Sequence, residues 1–259
     1  MAEQPHPPHA ADSTDDGLRA GSGGDVRGCA TASAQDRAAD DAAYRAAVVD
    51  LLGALAYGEL TAFSRLAADA DLAPTQPYKA ALAGLAVAEF HHYEALTAAL
   101  GQMGVDPEEA MAPFIAPIDA FHDRTRPTGW LEGLVKAYVG DGIATDFYRE
   151  ISAYVDPATQ NLVRSVLQDV GQAEFAVRAV REAIAADPRI AGRLALWGRR
   201  LVGEALSQAQ RVAVERDALA SLLVGGHNRP GADLAELGRM FARLTDEHTR
   251  RMDRLGLSA

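Results

Sequence analysis

From about Asp41 onward, large apolar residues recur at steps of three and four, the period of one helix face. Leu52, Leu55, Phe63 and Leu66 form one such stripe, and Leu82, Leu85 and Leu96 another. No alternation of period two is present, so the chain reads as all-α. The pattern predicts six helices, over about 41–71, 75–103, 128–154, 157–186, 188–223 and 233–255. Pro74 and Pro77 close the first. Asp156-Pro157 and Asp187-Pro188 each place an N-capping carboxylate before a proline at the first helical position, a start signal for the fourth and fifth. "VGGHNRPGAD" reads as the loop before the sixth.

The connections predict topology. Helices one and two are joined by a few residues, as are three and four, so each pair should be antiparallel. Between helices two and three lies the run "GVDPEEAMAPFIAPIDAFHDRTRP". A helix of about 28 residues is roughly 42 Å long, and this run is long enough to return along all of it with a short helix inside. Two hairpins with one long crossover make a ferritin-like four-helix bundle, here with two additional C-terminal helices. Residues 1–38 hold almost no large apolar side chains and are expected to be a disordered tail. The helical domain is then 39–259.

Each of the first four stripes is interrupted by an acid. Glu59 lies four residues from both Leu55 and Phe63. Glu89 and His92 fall on the face of Leu82, Leu85 and Leu96, whereas His91 and Glu94 point elsewhere. Asp141 shares a face with Leu134, Tyr138 and Tyr148, and Asp169 follows Leu162 and Val166 and precedes Gln172 and Val180. An unpaired buried carboxylate costs several kcal/mol, and four converging acids repel one another. A bound cation relieves both costs, as protonation also does. Bundle di-metal sites take one Glu from each of two helices and Glu-x-x-His from the other two. Glu89-Phe90-His91-His92 fits that spacing in full. Asp169-Val170-Gly171-Gln172 fits in position, with Asp for Glu and Gln for His. The metal ligands expected are therefore Glu59, Glu89, His92, Asp141, Asp169 and Gln172.

Composition narrows the partners. Net charge is −11 and only two residues are Lys, Lys79 and Lys136, which weighs against non-specific nucleic-acid binding. Arg178 to Arg216 holds eight Arg against four acids, which reads as a solvated helix face. The single cysteine, Cys29, excludes an intrachain disulfide and a cysteine metal site. The N-terminus lacks the layout of a signal peptide and no long uncharged apolar run is present. A cytoplasmic protein with no membrane partner is expected.

The segments "AYGELTAF", "AVAEFHHYEAL", "AYVGDGIATDFYREI" and "LQDVGQAEFAV" resemble the ferritin-like di-iron carboxylate proteins. Within them they look like the tRNA 2-methylthio-N6-isopentenyl-adenosine hydroxylase family and its actinobacterial-type relatives. The resemblance covers about residues 45 to 186. It implies an iron cofactor (di-iron, with manganese as the alternative), O2 and an electron donor, and a small-molecule or modified-nucleoside substrate. The net charge disfavours tRNA itself, and a homodimer is compatible with this reading. Asp at position 141 is shorter than the usual Glu and Gln172 offers only a neutral amide, so the second metal position is the weaker one.

The C-terminal helices add Glu204, on a face with Trp197, Leu201 and Gln208, and His248, on the stripe Leu237, Phe241, Leu244 and Met252. They either orient a metal ligand from behind or form a buried hydrogen-bonded pair. His122 and Asp123, in the crossover, read as surface residues. Tyr57, Tyr93, Tyr138 and Tyr148 lie on or beside inward faces, and Trp130 and Trp197 read as packing. Three functions compete: a di-iron oxygenase, a ferroxidase or peroxide scavenger, and a non-catalytic bundle that binds a partner.

Overall fold

A computed structural model describes the backbone of residues 26–168, 172–225 and 231–259, and side chains from residue 39 onward within them, except those of 172 and 173. The chain divides into Met1–Ala38 and the compact unit Ala39–Ala259, which carries the bundle. Of the expected tail, residues 1–25 lie outside the described residues and 26–38 are helical backbone.

Among the described residues all regular structure is helical. The elements are α1 (Val26–Asp69), α2 (Gln76–Gln102), α3 (Pro107–Arg124), α4 (Trp130–Ser152), α5 (Pro157–Val166), α6 (Gln172–Ala186), α7 (Ile190–Glu215), α8 (Asp217–Val224) and α9 (Leu234–Leu255), with a 3-10 turn at Ala70–Leu72. The helix starts are local chemistry. Thr75 caps α2 at the amide of Tyr78, Asp106 caps α3 at Glu108, Asp156 caps α5 at Ala158 and Thr159, and Asp233 caps α9 at Glu236. Each side chain satisfies backbone donors that a first turn leaves open. The crossover contains the anticipated helix, α3.

Two expected helices are each broken in two. The fourth stops at Val166 and resumes at Gln172, and the fifth is interrupted at Arg216. There the backbone leaves helical geometry (φ −128°, ψ 78°), and the guanidinium donates from Nε to the buried Asp50 of α1 at 3.0 Å. A long-range ion pair thus wins over continuation of the helix. At Asp187-Pro188 the helix begins two residues later than expected. The Asp187 carboxylate accepts from the Arg189 amide and pairs with its guanidinium at 2.8 Å, forming a turn instead of a cap.

The long α1 is tied to its neighbours by specific contacts. Tyr44 donates to Asp156 at 2.9 Å, Tyr57 donates to Asp119 of α3 at 2.9 Å, and Phe63 packs on Phe90 of α2 with ring centroids 5.2 Å apart. At Gly53 the backbones of α1 and α3 touch, so that a Cβ would lie 2.2 Å from the Ala110 carbonyl oxygen. Residues 39–72 are long and apolar enough to cross a membrane by length and composition, but 61% of the most apolar stretch is buried inside the protein.

The apolar interior falls into two clusters. One joins Leu66, Leu82, Ala86, Leu134, Tyr138, Phe175, Val180, Leu201 and Met252. The other joins Leu51, Leu55, Leu96, Leu100, Phe114, Ile151, Val166 and Leu222. Helices α1, α2 and α4 each contribute to both. On α1 the change falls between Leu55 and Leu66, on α2 between Ala86 and Leu96, and on α4 between Val139 and Ile151. A polar waist lies between the two, and the anomalous acids of α1 and α2 sit there.

Candidate metal centre

Glu59 comes from α1, and Glu89 and His92 come from successive turns of α2. Residues three apart on a helix stand one above the other on the same side, so α2 presents both of its groups to the same point on α1. One oxygen or nitrogen of each of the three residues lies within 4.8 Å of the others. His92 Nδ1 is 3.2 Å from Glu89 Oε2 and 3.5 Å from Glu59 Oε2. Side-chain exposure is 12% for Glu59, 4% for Glu89 and 16% for His92, so water screens the charges poorly. Apolar clusters close the site at both ends.

This enclosure sets the electrostatics. Burial raises the Glu59 carboxyl well above the usual range, His92 opposes this, and Glu89 and the charge of Asp141 push it higher. Hydrogen bonds to Glu59 and then Glu89 hold the His92 imidazole up to about 10 against its own burial. Two carboxyl groups thus share one imidazole. Burial, and then the charge of Glu59, also raise the Tyr148 phenol.

Asp141 differs from expectation. It is exposed on α4, outside the Glu59–Glu89–His92 group, although its charge is felt by Glu59. At Asp141 the expected stripe opens to solvent. The buried acids of α4 are Glu132, which accepts from Thr128 at 2.8 Å, and Asp146, which Arg251 of α9 binds at 2.6 Å and Arg149 at 3.2 Å. The sequence carried its signal in the stripe Val135, Val139, Ile143 and Asp146. Asp50, held by Arg216, was likewise missed, and only the break at residue 216 brings the two together. Asp169 lies outside the described residues. Gln172 opens α6, and its side chain is outside them also.

Neither expectation for Glu204 and His248 holds. Glu204 bonds Arg124 at 3.4 Å, and neither ring nitrogen of the buried His248 has a hydrogen-bond partner among the described residues. Burial, and then Arg251, lower the His248 pKa and keep that ring neutral. His122 is not a surface residue. Its Nδ1 is buried, and burial with the charges of Lys136 and Arg65 pushes the imidazole down to about 3. Tyr57 anchors α3, and burial with the Asp119 hydrogen bond raises its phenol to about 12.

The profile of the family described as "Ferritin-like domain, actinomycetes" matches residues 42–226. The chain belongs to this family. The matched span of the ferritin-like domain contains the whole Glu59–Glu89–His92 group and runs from residue 42 of α1 through α8. No curated protein matches the chain. The donor set of the ferritin-like domain suits a cation. Two carboxylates and one imidazole are the ligands of Fe(II), Mn(II) and Zn(II) sites. The three donors fit one ion.

Proposed function

We propose that this ferritin-like domain holds a redox-active divalent metal, iron in the first instance, through Glu59, Glu89 and His92, and uses it in O2-dependent oxidation of an organic substrate. The observation that carries the reading is the meeting of three poorly hydrated donors within 4.8 Å at a break between two apolar clusters, in a family whose fold is ferritin-like. Bound there, the metal supplies O2 activation, with two electrons from an external donor reducing the second oxygen atom to water. The chain's own part is to hold the two carboxylates in a fixed pair, to orient them with the His92 ring, and to keep bulk water out with the flanking Leu55, Phe63 and Leu96. Carboxylate and imidazole in this ratio favour iron or manganese over softer ions. The substrate of this reading is a small molecule or a modified nucleoside. Intact tRNA fits poorly with a net charge of −11.

A second reading has its own observation. Because His92 Nδ1 faces both carboxylates, an imidazolium alone stabilises the cluster in part, as in a bundle that binds a partner without catalysis. Metal content separates the two. Chain loaded anaerobically with Fe(II) and desalted retains about one iron per chain under the first reading. Retention of none leaves the second.

A further inference from the structure

Away from the carboxylate–imidazole group, the C-terminal part of α1, the end of α3, the α3–α4 connection and the start of α4 line a half-open pocket of about 240 Å³. Its charged and polar lining is Arg65, Asp69, His122, Arg126 and Lys136. Three permanent or near-permanent cations face one acid, in a protein whose net charge is −11. Lys136 is one of only two lysines in the chain and is buried, 8% exposed. Such a group is rarely fully enclosed without a compensating anion.

The charge of Asp69 compensates Lys136 and Arg65 in part, without a direct ion pair to either among the described residues. Lys136 Nζ gives one of its three donors to the Thr125 carbonyl at 2.8 Å and lies 5.5 Å from the centre of the Phe121 ring. Arg126 reaches outward to Asp123 at 3.5 Å. Among the described residues neither Arg65 nor Asp69 forms an ion pair, and Asp69 is turned against Gly133, where a Cβ would lie 3.2 Å from Oδ2. The His122 Nδ1, buried and without a partner among the described residues, is a further polar atom in the lining. Burial and the nearby Arg65 hold Lys136 down to about 8, a cost that an anion in the cavity would remove. Arg supplies planar, multiple donors for oxyanions and Lys a point charge, and the volume admits a phosphate group with a few additional atoms.

We propose that this cavity is an oxyanion site that binds phosphate, free or as the monoester of a small metabolite, between Arg65, Arg126 and Lys136. It is separate from the Glu59–Glu89–His92 group and stands without the metal reading.

The test is calorimetric titration of the full chain with inorganic phosphate at constant ionic strength, in chelator so that iron cannot take up the ligand. Saturable one-to-one binding is expected. Arg65→Ala with Arg126→Ala, both on the exposed rim, should weaken it at least tenfold with an unchanged far-UV spectrum, and Lys136→Met should do so more strongly if it folds. Arg164→Ala, which removes an exposed arginine elsewhere, should have no effect. Glu89→Ala should bind phosphate as the parent does. Glycerol phosphate competing more tightly than phosphate would assign the site to a monoester, and the reverse to the free ion. Absence of saturable binding, equal displacement by chloride, undiminished binding in the double variant, or loss in Glu89→Ala would each overturn the proposal.

Discussion

The waist of the bundle treats its buried acids in two ways. On the α4–α9 side, Asp146 has its own guanidinium, Arg251, whose charge is permanent and which also donates to the Gly142 carbonyl at 3.1 Å. On the α1–α2 side, Glu59 and Glu89 together have one imidazole, whose charge depends on a proton. Both places withhold water, and both lie between the same two apolar clusters. The difference is that the first pairs its acid with a fixed charge, whereas the second gathers two acids about a charge that depends on a proton. A buried acid with an Arg partner is architecture. A buried acid pair that meets a histidine within 4.8 Å has the makings of a cation site.

Substitutions on the two sides should therefore differ in kind. The largest effect expected is on metal retention: Glu89→Ala should reduce bound iron from about one per chain to none by elemental analysis, while Asp146→Asn leaves iron content unaltered. If Glu89→Ala retains iron as the parent does, the ligand assignment fails. Next in size is Arg251→Met, which strands Asp146 in a buried position. It should cost about 3 kcal/mol, seen as a fall of roughly 6–12 °C in melting temperature for a domain of this length. Pairing it with Asp146→Asn should recover most of that loss.

The metal-free Glu59→Gln variant sharpens the contrast, because it removes one of two mutually repelling acids instead of breaking a pair. Its stability should match the parent's or exceed it by up to about 1 kcal/mol. A loss comparable with Arg251→Met would show that the α1–α2 cluster is structural after all. The smallest effect concerns a third kind of acid, the helix cap. Against burial, hydrogen bonds from Thr159, Tyr44 and Ala158 hold Asp156 down to about 2. Its folded pKa is below the unfolded value near 3.9, so its stabilisation is full above that value and is lost as the pH falls toward 2. Asp156→Ala should cost about 1 kcal/mol at neutral pH and flatten the acid limb of stability between about pH 4 and 2, measured by urea denaturation at each pH.

Legibility varied with the range of the interaction concerned. Thr75, Asp156 and Asp233 mark their helix starts because a cap acts within one turn. Glu89 and His92 were readable as a unit because one helix carries both. Their meeting with Glu59 followed from two apolar stripes, each needing the other to leave water. On α4 the expected acid, Asp141, is exposed, and Asp146 is buried. Both Asp141 and Asp146 lie on plausible apolar stripes, and what separates them is which stripe faces Arg251 and which opens to solvent. The break at Arg216 was invisible for the same reason, since its cause, Asp50, is 166 positions away. Glu204 and His248 were correctly placed on inward-leaning faces but wrongly joined, because Arg124 from the crossover reaches Glu204 first.

The amino-acid pattern by itself determined that the chain is helical, where most helices begin, that a helix lies in the long connection between the second and third expected helices, and that Glu59, Glu89 and His92 stand on greasy faces. Those properties depend on period, capping and connection length, which are local or additive. The tertiary structure alone decided which acids are compensated and which are not, because compensation needs a charge from a distant helix placed within a few ångströms. That choice made Asp146 a strut, brought the α1–α2 carboxyl groups to His92, and gathered Arg65, Arg126 and Lys136 around a pocket.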